Sequence, residues 1–330
     1  MSVLRPLLAS TLHELFPGAR HETLVADAST RRFHRLFLPD GATLIVMDYG
    51  APFDGETDDI RLARIFEQAN LPVAHVMRSL PSAGALVLGD LGDDTLESAL
   101  DKAASGGRLS RDELYSSAIQ LAAKIATQGT DALLRSERAE GPALDGDRFL
   151  FEMRFFLEHY VGNFLGRRDS EPDVRGAVEA LALKAAAHPR VLCHRDFHSR
   201  NIMVRGDGSL VMVDIQDARW GPDTYDLASL LCDGYVDLGD REAAELFDRY
   251  LTYLPETWDI DELRGRFDVV AAQRMIKALG TFGYQISVLG RERYRSGIPR
   301  TIERLSRLVR AREPVASLGK VMLRAGLLTP

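Results

Sequence analysis

The chain is poor in several things, and each shortage removes a class of protein. Two cysteines, Cys193 and Cys232, in 330 residues are too few for a disulfide framework and suit a reducing compartment. No apolar run approaches the ~18 residues of a membrane span. Basic charge is not in excess: 41 Lys and Arg stand against 48 Asp and Glu, a net −7, whereas a nucleic-acid binder is more often basic. There is no G-x-x-x-x-G-K-[ST], no G-x-G-x-x-G, no H-E-x-x-H and no C-x-x-C. Those common signatures of a phosphate cradle, a catalytic zinc or a redox dithiol are therefore missing. Residues 1–90 hold no lysine, and the whole chain has three asparagines.

The N-terminal MSVLRPLLASTLHELFPG lacks the uninterrupted apolar stretch of a secretory leader. Leu4, Leu7, Leu8, Leu12 and Leu15 recur at helical spacing and Pro17-Gly18 ends the pattern, which predicts an amphipathic helix. A cytoplasmic location is expected, with neither membrane, nucleic acid nor an obligate protein partner. Hydrophobic content of 45% and charged content of 27% are ordinary for a globular protein, and the length suffices for two lobes.

Short strand-like runs come first. Thr23–Ala26 is brief. Arg32–Leu38 ends at the turn signal Pro39-Asp40-Gly41, and Thr43–Asp48 follows as its hairpin partner. A helix is expected over 56–69, then two strands in LPVAHVMRSL and GALVLGDLG. From about residue 93 the pattern is helical: 94–103, 111–128, 146–165, 225–250 and 261–328. One strand pair, 191–193 with 201–214, interrupts it, and Gly106-Gly107 and Pro172-Asp173 read as loops between helices. Phe149, Phe151, Phe155 and Phe156 read mostly as core. The expected fold class is α+β, bilobal: residues 1–90 a small antiparallel-sheet lobe with one helix, residues 91–330 a large helical lobe.

Between two apolar steps lies His194-Arg195-Asp196-Phe197-His198-Ser199-Arg200-Asn201. H-R-D, four residues and Asn is the catalytic-loop pattern of protein kinases and their relatives. A phosphoryl acceptor is usually a hydroxyl, and Asp196 would take its proton. Asn201 offers a neutral oxygen to Mg²⁺. After a Gly-Asp-Gly turn, strand 210–213 delivers Asp214, a second metal ligand; a carboxylate at a buried strand end is costly without a cation. Asp217 has an open role, since a loop hydrogen bond accounts for it equally well. His194 organises the loop backbone, Cys193 is core, and His198 is either structural or near the phosphates.

The order of VLGDLG, HRDFHSRN, VDIQDA and YDLASLL resembles the aminoglycoside phosphotransferase and choline kinase superfamily, with its protein-kinase-like fold. DASTRRFHR, LIVMDYGAP, DIQDARWGP and AAQRMIKALGTFGY, with Gln273, Arg274, Lys277, Gly280 and Phe282, are similar to bacterial cell-wall recycling kinases. Those act on the anomeric hydroxyl of N-acetylmuramate and N-acetylglucosamine. The segment 284–297 departs from that pattern. The resemblance implies ATP and Mg²⁺ as cofactors and a small-molecule sugar as substrate. It implies a phosphate loop at Ser29, Thr30, Arg31 and Arg32, and an adenine-reading hinge at Gly89, Asp90 and Leu91. Protein kinases carry a phosphate-gripping lysine on the third strand. Met47 stands there, so Arg31 or Arg32 is the nearest replacement. Glu152 and Arg154 are candidate sugar contacts, Arg154 for a carboxylate, and Trp220 either stacks on a sugar or packs a loop. Asp226 is expected to bond the catalytic loop from a helix start. An aminoglycoside, a choline-like alcohol or another sugar as acceptor, and a non-catalytic pseudokinase, are the rival readings.

Overall fold

The computed structural model describes residues 4–24 and 31–328. The chain divides into two compact units: Met1–Asp94 with Met203–Gln216, and Thr95–Ile202 with Asp217–Pro330.

The first unit begins with α1 (Pro6–Leu15), which opens on a proline whose missing N–H costs nothing in the first turn. Then come β1 (Arg20–Leu24), β2 (Arg32–Phe37), β3 (Thr43–Asp48), α2 (Asp58–Gln68), β4 (Val76–Leu80) and β5 (Ala85–Gly89). They form an antiparallel sheet in the order β1-β2-β3-β5-β4. The Pro39-Asp40-Gly41 turn joins β2 to β3, with Gly41 at φ +89°, a conformation costly for any side chain bearing a Cβ. Side chains alternate across a strand. Leu44 and Val46 of β3 and Ala85 and Val87 of β5 share a core with Leu8 and Leu12 of α1. Met47, one residue on from Val46, belongs to the opposite face, paired with Phe33 and Leu86.

The second unit contains α3 (Leu96–Ala104), α4 (Arg111–Lys124), α5 (Thr130–Leu134), α6 (Gly146–Phe156) and α7 (Glu171–Ala186). The helices expected over 111–128 and 146–165 are present, but each ends in π-helical turns, Ile125–Gly129 and Leu157–Phe164. Pro172-Asp173 is not a loop: Pro172 occupies the first turn of α7, the one helical position that tolerates it. Phe151 is exposed, whereas Phe149 and Phe156 are fully buried.

After β6 (Arg190–Cys193) come the hairpin β7 (Ile202–Val204) and β8 (Leu210–Met212), then β9 (Arg219–Pro222). The expected pairing of 191–193 with 201–214 is corrected. β6 pairs with β9, Leu192 opposite Trp220, and among the described residues β7 pairs with β8. The tight Arg205–Gly208 turn closes β7 onto β8 locally, which leaves the edge of β6 for a later strand. In the first unit, Met212 exchanges backbone bonds with Pro72 and Ala74.

α8 (Tyr225–Leu231), α9 (Asp240–Leu251), α10 (Ile260–Ser287), α11 (Gly297–Ala311) and α12 (Glu313–Arg324) complete the second unit. The 28-residue α10 runs through a core that includes Phe149, Met153, Phe156, Met275, Ile276 and Leu279. Two glycines press α10 against the α6 extension. A Cβ on Gly283 would stand 2.5 Å from His159 O, and one on Gly280 would stand 2.8 Å from Phe156 Cα. That approach places Gln273 Nε2 2.8 Å from Glu152 Oε2. The described residues contain no helix long and apolar enough to cross a membrane. The architecture is an α+β, bilobal protein-kinase-like fold.

Candidate active site

Residues 194–201 lie between β6 and β7, and their backbone is held by two aspartates from farther along the chain. Arg195 sits at φ +82°, a strained conformation for a residue with a side chain. Asp226, in the first turn of α8, accepts the amides of His194 (2.6 Å) and Arg195 (3.0 Å). Burial raises its carboxyl pKa, against the pull of His194 and the two amides. Asp233 accepts the amide of Ser199 at 2.9 Å and that of Tyr235 at 2.8 Å. Asn201 donates from Nδ2 to the backbone carbonyl of Asp196 at 3.0 Å, which leaves its Oδ1 as the end able to bind a cation.

Asp196 is flanked by cations. Lys277 Nζ donates to its Oδ1 at 2.9 Å, and Arg274 Nη1 stands 3.6 Å from the same oxygen. Burial alone would raise this carboxyl, but Lys277, then Arg274 and Arg195, hold it well below the usual carboxylate range. Lys277 is itself lowered to about 8 by burial and by Arg274, against the attraction of Asp196. Arg274 also donates to Tyr225 Oη at 3.0 Å, with its guanidinium over that ring.

Glu152 is buried. One oxygen takes the Gln273 bond, while the other faces Arg195 at 3.5 Å and Arg148 at 3.8 Å. Asp217 bridges Arg195 and Arg219, each at 2.9 Å. His198 packs edge-on to Tyr235. Its buried Nδ1 has no partner among the described residues, and burial lowers its pKa despite Asp233 and Asp196. Trp220 is on β9 and donates its indole N–H to Ala139 O at 2.9 Å. His194 is wholly buried, edge-on to Phe197. Arg154 is not brought to this group: it is largely exposed and lies 3.8 Å from Glu179 of α7. Cys193 is buried, and burial pushes its thiol well up.

In the first unit, Asp214 follows β8 at φ +64°. Its Oδ1 accepts from Gln216 at 3.1 Å and from Arg31 at 3.2 Å. Arg31 also reaches Asp59 of α2 at 2.7 Å and Met47 Sδ at 3.3 Å, so a guanidinium lies against the third-strand position that has no lysine. Asp59 is held in turn by Tyr49 Oη at 2.7 Å. Arg32 is exposed on β2, opposite Asp48. Gly89 ends β5 and donates to His75 O at 3.1 Å. Asp90 accepts from Arg35 at 2.7 Å and from the Gly92 amide at 2.9 Å, and it titrates below its ordinary value because these bonds outweigh burial. Leu91 is half-buried. Ser29 and Thr30 lie outside the described residues.

The amide oxygen of Asn201 in the second unit and the carboxylate of Asp214 in the first are each, taken separately, hard donors of the kind Mg²⁺ takes. The sequence assigned no role to Asp233, Asp59 or Lys277. Lys277 stood only within a matching segment, and the one available signal was the lone lysine of α10, set close to Gln273 and Arg274 in a largely apolar stretch.

A family model described as the phosphotransferase enzyme family matches residues 21–265. An N-acetylmuramate/N-acetylglucosamine kinase of Neisseria meningitidis serogroup B is 29% identical over 301 residues, covering 89% of this chain and 86% of that one. A kinase of the same name from Pseudomonas aeruginosa is 29% identical over 333 residues, covering 96% and 94%. Among solved structures, a choline kinase from Cryptosporidium parvum superposes with a TM-score of 0.57 at 10% identity, over 98% of this chain and 97% of that one. Such distant likeness speaks for fold alone. Because the family match spans well over half of the sequence, this chain belongs to the phosphotransferase enzyme family, as an ATP-dependent small-molecule kinase.

Proposed function

We propose that the protein transfers the γ-phosphoryl group of ATP to the anomeric hydroxyl of an N-acetylated amino sugar, N-acetylmuramate or N-acetylglucosamine, in the cytoplasm, as a step in reusing cell-wall sugars. The observation that carries this reading is the charge around Asp196: Lys277 at 2.9 Å and Arg274 at 3.6 Å from one carboxylate oxygen. Two unit charges ~4 Å apart at a near-surface effective dielectric interact by about 4 kcal/mol. A polycationic aminoglycoside or a choline-like cation would meet that repulsion beside the base. A neutral or anionic sugar would not, and the named relatives support this class.

In this reading Asp196 orients the acceptor hydroxyl and takes its proton. Asn201 and Asp214 would hold Mg²⁺, which would supply positive charge to the phosphates. Arg31, held by Asp59, stands in for the third-strand lysine. Arg32 flanks the phosphates, and Gly89, Asp90 and Leu91 read adenine. Glu152, His198 and Trp220 are the remaining candidates for sugar contacts. Positioning and electrostatics account for most of the acceleration, because an anomeric hydroxyl needs only a modest base.

The test is ADP formation with ATP and Mg²⁺ against N-acetylmuramate, N-acetylglucosamine, glucose, kanamycin and choline, with phosphorus NMR of the product. Turnover confined to the N-acetylated sugars, with phosphate at the anomeric carbon, is expected. Turnover of kanamycin or choline in their place overturns the acceptor assignment.

A further inference from the structure

The Asp196–Lys277 contact joins residues 81 positions apart. Lys277 projects from α10, and its side chain is only 15% exposed. An ammonium has three donors, and Asp196 takes one of them. Around Asp196 stand the carboxylate of Glu152, the cations Arg195, Arg274 and Lys277, and His198 from the loop, and Arg195 is itself paired with Asp217 at 2.9 Å. Burying an ammonium is expensive, and Lys277 Nζ is set against the oxygen of Asp196 with donors left over for negative charge that arrives with the substrates.

We propose that Lys277 is a second catalytic residue of the phosphoryl transfer. It fixes Asp196 through Oδ1, leaves Oδ2 to the acceptor hydroxyl, and directs its remaining N–H groups to the oxygen that becomes bonded to phosphorus. In the step, the acceptor O–H bond breaks and its proton goes to Asp196 Oδ2. The O–P bond to the γ-phosphorus forms, the bond from that phosphorus to the bridging oxygen breaks, and the electron pair leaves with ADP. Lys277 stays protonated throughout, and the proton on Asp196 returns to solvent. The inference rests on the kinase reading above and holds for any hydroxyl acceptor, water included.

The experiment compares Lys277→Met and Lys277→Arg with the wild type. It reads acceptor-dependent ADP formation, acceptor-free ATP hydrolysis, ATP binding by calorimetry, and the pH profile of kcat/KM. Lys277→Met is expected to lower kcat by about 10²-fold or more in both reactions, with ATP affinity within about twofold. Lys277→Arg is expected to recover about tenfold of that loss. Wild-type kcat/KM should fall as pH rises through about 8, where the ammonium of the free enzyme loses its proton, and the arginine variant should move that limb to higher pH. A methionine variant with kcat within about threefold of wild type, or a loss confined to KM, overturns the proposal. If the methionine variant does not fold, the arginine variant decides, and an unmoved alkaline limb overturns it. Wild type that ignores the amino sugars but hydrolyses ATP in a Lys277-dependent way refutes the acceptor assignment and leaves Lys277 standing. Wild type with no ATP turnover at all overturns both.

Discussion

Asp226 accepts the backbone amide of Arg195 at 3.0 Å, and that amide belongs to a residue held at φ +82°. A carboxylate on a later helix therefore fixes the strained turn just before Asp196. The second oxygen takes the amide of His194 at 2.6 Å, so one side chain supports two consecutive peptide units.

Asp226→Ala should leave both buried amides without an acceptor. The cost is about 1–3 kcal/mol for each, and a fall of several degrees in Tm should follow. Scanning calorimetry reads it. An unchanged Tm would mean that the loop holds its shape without Asp226.

Asp196→Asn should abolish turnover by about 10²–10⁴-fold, the range for loss of a positioned proton acceptor, while ATP affinity stays near wild type. Steady-state ADP release and equilibrium binding together check this. Retained turnover would remove Asp196 from its assigned role.

Arg31 touches Asp59, Asp214 and Met47. Arg31→Met should weaken ATP, seen as a rise of about tenfold or more in its KM, and Arg31→Lys should recover part of it. An unaltered KM for ATP in the methionine variant would show that the phosphates are gripped by other groups.

His188 is lowered from 6.5 to about 4 by burial, with Arg266 and Lys184 adding to the effect. A folded state that prefers the neutral ring loses stability as pH falls. This contribution is complete above pH 6.5 and lost on acidification through about 4. His188→Leu should flatten the fall of Tm across that window. An identical slope in both proteins would assign the acid sensitivity to other groups.

Gly283→Val should destabilise by about 1–3 kcal/mol or more, because its Cβ would meet His159 O at 2.5 Å. If α10 retreats to relieve the clash, kcat should fall with Tm, since Lys277 rides on that helix. A variant of lower Tm and normal kcat would show that the strain is absorbed away from Lys277.

Local chemistry was readable in the sequence, and long-range chemistry was not. The β2–β3 hairpin could be read because Pro39-Asp40-Gly41 writes its turn into neighbouring residues. Pro172 misled because the same residue suits a loop and a first helical turn, and only the packing of α7 distinguishes them. The partner of β6 was missed because β9 follows after a 25-residue excursion, and four-residue strands carry no pairing signal of their own. Asp233 was unremarkable in LCDGY until its carboxylate met Ser199.

By itself the sequence determined the kind of reaction. An aspartate and an asparagine five residues apart on one loop, with a further aspartate just after the hairpin that follows, are linked by short chain segments that keep their order and spacing. Tertiary structure decided what surrounds the carboxylate of Asp196. Lys277 and Arg274 arrive from a helix some eighty residues away because Gly280 and Gly283 let α10 press on the α6 extension, and no short-range pattern encodes that distance. The charge beside Asp196 follows from that packing, and with it the class of acceptor proposed above.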